Sequence, residues 1–226
     1  MLIQNLYLQT TRFANERKRK IDRFNKQSHG MIRVIRKMRD DRVYLTFDDG
    51  PDLFTASIME LLNRCGIKGT FFLIGQKAAQ NPEIVKELLK HGHSIGNHSF
   101  SHPRLILKSR QFIVNEIDQT DAILTELLGF RPCIFRPPYG LFGWNLLRIL
   151  QLKGYRMALW NGLTKDYAAK VDEHFIGDRI RKQARPGAIL LMHDGHSNSE
   201  KTLLALEETL PALLKKGLKF GLIPNQ

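Results

Sequence analysis

The segment Thr46-Phe47-Asp48-Asp49-Gly50-Pro51 places two adjacent carboxylates where an apolar strand, Val43 to Phe47, runs into a Gly-Pro turn. Two neighbouring acids repel each other, and burying either one costs free energy unless a cation or a hydrogen-bond donor compensates. We therefore expect a positive group at the end of this strand, and a metal ion is the natural candidate.

A second segment, Asn97-His98-Ser99-Phe100-Ser101-His102, supplies two imidazoles. His98 and His102 are four residues apart, so in helical or near-helical geometry both rings lie on one face. One carboxylate with two histidines is a common ligand set for a catalytic metal, and it leaves a coordination position open for water. The two segments together predict a metal-dependent hydrolase.

The length and composition fit one globular domain. The chain has 226 residues, of which 42% are hydrophobic and 25% charged, and single α/β barrels often have about this size. No apolar run approaches the roughly 18 to 20 residues that span a bilayer, and the start lacks the apolar stretch of a secretory signal. These features predict a cytoplasmic or membrane-associated protein.

Positive charge is concentrated near the start of the chain. The net charge is +13, and residues 1–42 carry twelve Lys or Arg against four acids. We therefore expect a basic N-terminal extension, residues 1–41, followed by a domain at 42–226. Such an extension can attract nucleic acid or contact an anionic membrane surface peripherally, or it can be solvated with no partner. No nucleic-acid-binding motif accompanies the charge, so no specific nucleic acid is expected.

From residue 43 onward, short apolar runs alternate with amphipathic stretches, which predicts a parallel α/β architecture. With about seven strands, a barrel is favoured over an open sheet. The predicted strands are Val43–Phe47, Thr70–Leu73, Ser94–Gly96, Cys133–Phe135, Arg156–Leu159, Ala188–Met192 and Leu218–Gly221. The predicted helices are Ala56–Cys65, Pro82–Lys90, Gln111–Leu128, Gly143–Leu152, Glu173–Gln183 and Thr202–Lys215.

Polar clusters follow five of these strands. In parallel α/β barrels the loops after the strands converge on one face, and that face carries the active site. The sequence therefore predicts one composite pocket. The clusters are Asp48-Asp49, His98 with His102, Arg136-Pro137-Pro138-Tyr139-Gly140, Trp160 to Tyr167, and His193-Asp194.

The motifs TFDDGP, HSFSH, RPPYG and ILLMHD, in this order and spacing, resemble those of the polysaccharide deacetylases of carbohydrate esterase family 4, the NodB-homology domain. The resemblance spans roughly residues 42–222. It implies a distorted (β/α) barrel and metal-dependent removal of N- or O-acetyl groups from sugars.

The resemblance also implies roles for individual residues. Asp49, His98 and His102 match a metal-binding triad, usually for Zn²⁺, with Co²⁺ or Ni²⁺ sometimes accepted. Asp48 matches the general base and His193 the general acid. The Tyr139 backbone N–H is expected to stabilise the oxyanion. The expected substrate contacts are Leu191 against the acetyl methyl, and Pro138, Trp160 and Tyr167 along the sugar groove.

By the same resemblance, Arg136 and Asp166 are expected to be charge partners of the residues that react. Asp166 could hold His193 in its protonated state, or it could orient Arg136. The family pattern Asp-x-x-Asp-Trp becomes Leu163-Thr164-Lys165-Asp166-Tyr167 here. That departure concerns the substrate groove and the polymer preference, and it leaves the metal chemistry intact.

The favoured function is de-N-acetylation of N-acetylglucosamine units in peptidoglycan or chitin-like glycans. The family usually works outside the cytoplasm, whereas the sequence shows no export signal. Three alternatives stay open: a deacetylase or deformylase of a lipid-linked or small amino-sugar, an acetyl-xylan esterase, and a non-catalytic carbohydrate-binding protein.

Overall fold

The computed structural model describes residues 16, 19–20, 22–23, 34–35 and 37–225, so most of the predicted basic extension lies outside the described residues. The strands are β1 (Val34–Ile35), β2 (Arg42–Asp48), β3 (Thr70–Leu73), β4 (Ser94–Asn97), β5 (Ile134–Phe135), β6 (Arg156–Ala158), β7 (Gly162–Leu163), β8 (Ile189–His193) and β9 (Lys219–Phe220). The helices are α1 (Leu53–Arg64), α2 (Gly75–Gln80), α3 (Pro82–Lys90), α4 (Arg110–Leu128), α5 (Trp144–Leu152), α6 (Glu173–Gln183) and α7 (Ser199–Lys215).

The strands form one parallel, curled sheet in the order β1-β6-β5-β4-β3-β2-β8-β7, and β9 pairs with the start of β2. Within the described residues the two edge strands, β1 and β7, are not paired with each other. This is the distorted (β/α) barrel that the motifs implied, and the prediction is confirmed. All seven predicted strands are present, and each bound differs by at most one residue.

The expected strand count of about seven is too low, because the described part of the sheet contains nine strands. The two additional strands, β1 and β7, have two residues each and are too short to show an alternating pattern. The short helix α2 was also not predicted. Because β1 pairs with β6 through Val34 and Ile35, the predicted extension contributes a strand to the barrel. The domain boundary at residue 42 stays a prediction.

Alternation along β2 divides the core into two layers. Val43, Leu45 and Phe47 pack outward against the helices, in a layer that includes Ile58 of α1 and Leu206 of α7. Tyr44 faces the barrel interior, where it packs with Phe72, Ile134, Ala158, Ile189 and Ile223. Thr46 and Asp48 share the inner face with Tyr44, because successive side chains of a strand point to opposite sides. The apolar layers therefore fix β2 in an orientation that directs Asp48 into the barrel mouth.

None of the helices in the described part of the chain combines the length and the apolar character needed to cross a lipid bilayer.

Candidate active site

The carboxyl ends of the central strands bring four of the predicted clusters together. Asp48 at the end of β2 is in register with His193 at the end of β8, and Asn97, just before His98, is in register with Phe135, just before Arg136. The sheet register thus places these four clusters side by side at one end of the barrel.

Asp49, His98 and His102 converge on one point. Oδ1 of Asp49 lies 3.1 Å from Nε2 of His102 and 3.4 Å from Nε2 of His98. This oxygen is buried and accepts no well-directed hydrogen bond. Nδ1 of His98 lies 2.7 Å from the Arg136 carbonyl oxygen and must donate to it, so Nε2 is the ring nitrogen that faces Asp49 and can bind a metal. The three groups, whose ligand atoms lie within 4.8 Å of one another, fit a divalent metal.

The protonation states also suit a metal. Burial, with the neighbouring His98, lowers the pKa of His102 to about 4, so its imidazole is neutral near pH 7. Burial alone would raise the pKa of Asp49, but the imidazoles of His98 and His102 hold it below its usual range. A carboxylate and two neutral imidazoles are the forms that bind metal.

The segment that carries the two histidines is an irregular loop, so the expected helical geometry is wrong. Residues 98–104 form no helix, and φ is positive at Ser99 (68°) and His102 (55°). Asp49 (77°) and Tyr139 (58°) share this left-handed conformation. Such backbone is unfavourable for side-chain-bearing residues and persists only where its surroundings enforce it. Strained backbone is thus concentrated at the candidate site.

Glu116 of α4 supplies part of that enforcement. Its Oε2 accepts hydrogen bonds from the backbone N–H groups of Phe100 (2.9 Å) and Ser101 (2.8 Å), and its Oε1 accepts one from the Ser101 hydroxyl (2.8 Å). This buried carboxylate thus holds the part of the loop that separates the two histidines in sequence, and the sequence analysis did not identify it. A lone Glu within an amphipathic helix carries no motif signal.

Arg136 is fully buried and pairs with Asp48. Its Nη1 donates to Oδ1 of Asp48 at 2.7 Å and to Oγ1 of Thr46 at 2.8 Å, and its guanidinium lies 4.0 Å from the centre of the Phe72 ring. The second Asp48 oxygen, Oδ2, lies 3.8 Å from Nε2 of His98. One oxygen of Asp48 is therefore held by Arg136, and the other borders the metal ligands.

His193 is paired with Asp166, which decides between the two expectations for that carboxylate. Nδ1 of His193 donates to Oδ1 of Asp166 at 2.9 Å, and the His193 backbone N–H donates to Oδ2 at 2.6 Å. Burial would lower the pKa of His193, but the Asp166 carboxylate outweighs burial and the pKa rises to about 9. Asp166 thus holds His193 protonated, while Arg136 is oriented by Asp48.

Asp194 shapes the turn that carries the carboxylate pair. Its Oδ1 accepts from the Gly50 N–H at 3.1 Å, its Oδ2 accepts from the Thr55 hydroxyl, and its own N–H donates to the Asp48 carbonyl at 3.0 Å. Burial raises the pKa of Asp194 to about 7. The His-Asp pair in the sequence marked this position, but its positioning contact was not foreseen.

The remaining predicted residues surround the same mouth. The Tyr139 ring lies 4.6 Å from the His102 ring, and the Tyr167 ring meets the His193 ring edge-on at 5.6 Å. Leu191 is buried on the inner face of β8, two residues before His193. Pro138 is buried, and Trp160 packs partly into the core, with its ring 5.7 Å from the Arg136 guanidinium. Their substrate contacts stay predictions.

Comparison with known proteins agrees with this geometry. The family model described as polysaccharide deacetylase matches residues 35–158. A peptidoglycan-N-acetylglucosamine deacetylase of Bacillus cereus is 37% identical over 187 residues, which cover 81% of this chain and 67% of that relative. The peptidoglycan-N-acetylglucosamine deacetylase PgdA of Listeria monocytogenes is 34% identical, and the match covers 83% of this chain but only 39% of that relative.

A solved structure shows the same fold. The crystal structure of the Bc1960 peptidoglycan N-acetylglucosamine deacetylase superposes with a TM-score of 0.81 at 34% identity, covering 85% of this chain and 91% of that one. The match to the family model, the named relatives and the shared fold together define a hydrolase that deacetylates glycans. The chain belongs to the polysaccharide deacetylase family, as its motifs implied.

Removal of the Glu116 carboxylate tests its hold on the histidine loop. We expect Glu116→Ala to weaken metal binding by about tenfold or more, since two backbone N–H groups of the loop lose their acceptor and the His98–His102 spacing relaxes. The metal affinity of Glu116→Gln, which keeps one acceptor oxygen, should lie between those of Glu116→Ala and wild type. Competition against a chelating dye measures the affinity. Glu126→Ala, an exposed residue on the same helix, is the matched control, and equal affinities in all four proteins would contradict this role.

The pairing of His193 with Asp166 predicts a pH effect. A general acid acts only while protonated, so activity should be present below the pKa of His193 and lost as the pH rises through it, near pH 9. In Asp166→Asn the pKa of His193 falls, and the alkaline limb of kcat/KM should move down by about one to three pH units. Values of kcat/KM measured from pH 5 to 10 locate this alkaline limb. If the limb does not move in Asp166→Asn, the loss of activity at high pH comes from a group other than His193.

Proposed function

We propose that this protein is a metal-dependent de-N-acetylase that acts on N-acetylglucosamine units of peptidoglycan or chitin-like glycans. The observation that carries the proposal is that Asp48 and His193, on either side of the metal-ligand triad, are each held by an oppositely charged partner. Asp48 is bound to Arg136 on one side, and His193 is bound to Asp166 on the other. Similarity to relatives named peptidoglycan-N-acetylglucosamine deacetylase supports the substrate class.

Asp49, His98 and His102 would hold the metal. Two imidazole nitrogens and one carboxylate oxygen suit Zn²⁺, with Co²⁺ or Ni²⁺ as substitutes. A divalent metal held there supplies Lewis acidity, which acidifies water and polarises the acetyl carbonyl. Because Oδ1 of Asp49 has no well-directed hydrogen bond of its own, it can serve as a ligand without breaking one.

Asp48 is suited to act as the general base. Arg136 restrains its carboxylate through Oδ1, so Oδ2 stays directed toward the triad, where it can accept a proton from the attacking water. The fully buried Arg136 guanidinium is in turn compensated by this carboxylate, because a buried cation requires a partner. The proton transfer itself contributes about 10²–10⁴-fold to the rate.

His193 is suited to act as the general acid. Its Nδ1 is committed to Asp166, so Nε2 is the nitrogen that can donate a proton to the leaving amine. A pKa near 9 keeps that proton in place at neutral pH. The Tyr139 N–H would stabilise the oxyanion, a role worth about 3 kcal/mol. Leu191 would contact the acetyl methyl, and Pro138, Trp160 and Tyr167 would border the sugar.

The alternatives use the same site. A lipid-linked or small amino-sugar, or acetyl-xylan, would need the same water activation and would differ only in contacts at the mouth. A non-catalytic carbohydrate-binding protein needs neither a base nor an acid. The presence of both, each with its own buried charge partner, favours an enzyme.

Acetate release tests the reaction. We expect the zinc-loaded protein to release acetate from N-acetylglucosamine oligomers or peptidoglycan, and to stop when a chelator removes the metal. Asp48→Asn and His193→Ala should each lower kcat by about 100-fold or more while zinc stays bound. His98→Ala should lose zinc as well, because it removes a ligand. Zinc content and circular dichroism of each variant separate chemical loss from misfolding.

The outcomes distinguish the candidates. Zinc binding without acetate release from either substrate would favour a lipid-linked or small amino-sugar, and sugar binding without turnover of any substrate would favour a binding protein. A near wild-type rate in Asp48→Asn would exclude that carboxylate as the base.

For the basic extension we propose a peripheral contact with an anionic membrane, and no specific nucleic acid partner. The proposal rests on charge, since residues 1–42 carry twelve Lys or Arg against four acids. Each basic residue near such a surface contributes about 1 kcal/mol. The contact would place the protein at a membrane surface, in line with the localisation predicted from the sequence.

Vesicle sedimentation tests this contact. The full chain should sediment with vesicles containing phosphatidylserine at low salt and be released as the ionic strength rises, because salt screens the attraction. A chain without residues 1–33, which keeps β1, should not sediment, and neutral phosphatidylcholine vesicles are the control. Equal sedimentation with both vesicle types would contradict an electrostatic contact.

A further inference from the structure

Two loops at the barrel mouth contain, between them, two cationic side chains and no acid; both cations lie in the first loop. Residues 103–109, after the His102 ligand, include Arg104 and Lys108, and residues 137–145 include Tyr139; neither range contains Asp or Glu. The loops lie against each other, since Nδ2 of Asn145 donates to the Lys108 carbonyl at 3.4 Å. Together they form one surface, the cationic rim, defined here as residues 104–108 with 139–144.

Acids on the other loops of the mouth are already engaged. Asp166 binds His193, Asp172 accepts the Phe175 N–H at 2.8 Å as a helix cap, and Asp52 pairs with Lys77 at 3.2 Å. Within the described part of the chain no acid forms a salt bridge with Arg104 or Lys108, and two cations without an acidic partner favour the binding of anions.

Arg104 is the cation of the cationic rim that stacks on Tyr139, the neighbour of a metal ligand. Its guanidinium carbon lies 5.3 Å from the centre of the Tyr139 ring, and that ring in turn lies 4.6 Å from the ring of the ligand His102. The stacking restrains the guanidinium, yet it uses none of its N–H donors. Among the described residues, no hydrogen bond or ion pair takes these donors. The side chain is exposed, and Tyr139 beneath it is 52% exposed.

The surroundings of Arg104 suit a sugar chain that bears an anion. Leu107 is 92% exposed and Trp144 is 40% exposed. Apolar side chains interleaved with cations offer packing for the faces of sugar rings and ion pairs for their substituents. A planar guanidinium binds a carboxylate through two parallel hydrogen bonds, which a lysine does not reproduce.

Building on the proposed function, we propose that Arg104 binds a carboxylate of the glycan substrate, carried by the acetylated sugar or its neighbour, so that the enzyme prefers anionic glycans to neutral chitin-like ones. In peptidoglycan this carboxylate has two sources. It is the lactyl group of muramic acid where the peptide has been removed, or it belongs to the peptide stem.

Substrate selectivity of variants tests the proposal. The zinc-loaded wild type, Arg104→Gln and Arg104→Lys are assayed on chitopentaose, on peptidoglycan strands stripped of peptide, on the same strands with amidated lactyl groups, and on peptide-bearing strands. Arg185→Gln is the matched control, because Arg185 is an exposed arginine at the opposite, amino-terminal end of β8.

We expect Arg104→Gln to lower the ratio of kcat/KM on the carboxylate-bearing strand to that on chitopentaose by about fivefold to tenfold, mainly through KM. Arg104→Lys should recover only part of this ratio, and Arg185→Gln should leave it unchanged. Loss of the preference on amidated stripped strands identifies the lactyl carboxylate, whereas a preference confined to peptide-bearing strands identifies the stem. An unchanged ratio in Arg104→Gln, or an equal loss on every substrate, would overturn the proposal.

Binding separates this proposal from the proposed function. The dissociation constant for stripped strands, measured by calorimetry, should rise in Arg104→Gln and rise with salt in the wild type. If the wild type releases no acetate from any substrate, the proposed function fails, and the calorimetric comparison still decides the role of Arg104. Equal dissociation constants for wild type and Arg104→Gln on stripped strands and also on peptide-bearing strands would overturn that role.

Discussion

The buried guanidinium of Arg136 joins the barrel interior to the site. It binds Asp48 and Thr46 on β2, approaches the carbonyl oxygens of Ala158 and Leu159 at 3.4 Å, and lies over the Phe72 ring. A buried charge without a partner costs several kcal/mol, so the folded chain must place the Asp48 carboxylate beside it. The same contact therefore fixes the relative position of the strand ends and the orientation of the proposed base.

The adjacent carboxylates reach one pocket because the backbone turns between them. In a regular strand Asp48 and Asp49 would point to opposite faces. The left-handed conformation of Asp49, with φ of 77°, breaks that alternation. Asp194 stabilises the turn by accepting a hydrogen bond from the Gly50 N–H. The chain also packs closely there, since a Cβ atom at Gly195 would come within 2.0 Å of the Asp49 carbonyl oxygen. One carboxylate thus remains with Arg136, and its neighbour turns toward the histidines.

Sequence reasoning recovers what is local and periodic. Strand ends followed by polar clusters predicted the barrel and the convergence of Asp48, His98 and His193, because parallel strands fix where their loops meet. It missed contacts set by tertiary packing. Glu116 lies on a helix without any motif, and the helical spacing of His98 and His102 gave the right neighbours for the wrong reason, since a strained loop brings them together. The choice of partner for Asp166 depends on the β7–β8 pairing, which two-residue strands do not reveal.

Most of the negative charge at the site is compensated by neighbouring groups, as binding of the proposed anionic substrate requires. In the interior, Arg136 neutralises Asp48, a protonated His193 neutralises Asp166, and the raised pKa of Asp194 lowers its charge near neutral pH. The negative charge of Asp49 faces the histidines, where a divalent metal would reverse its sign. Little negative potential then reaches the mouth, where Arg104 and Lys108 have no described acidic partner. The buried pairs therefore allow the cationic rim to set the electrostatic preference of the entrance.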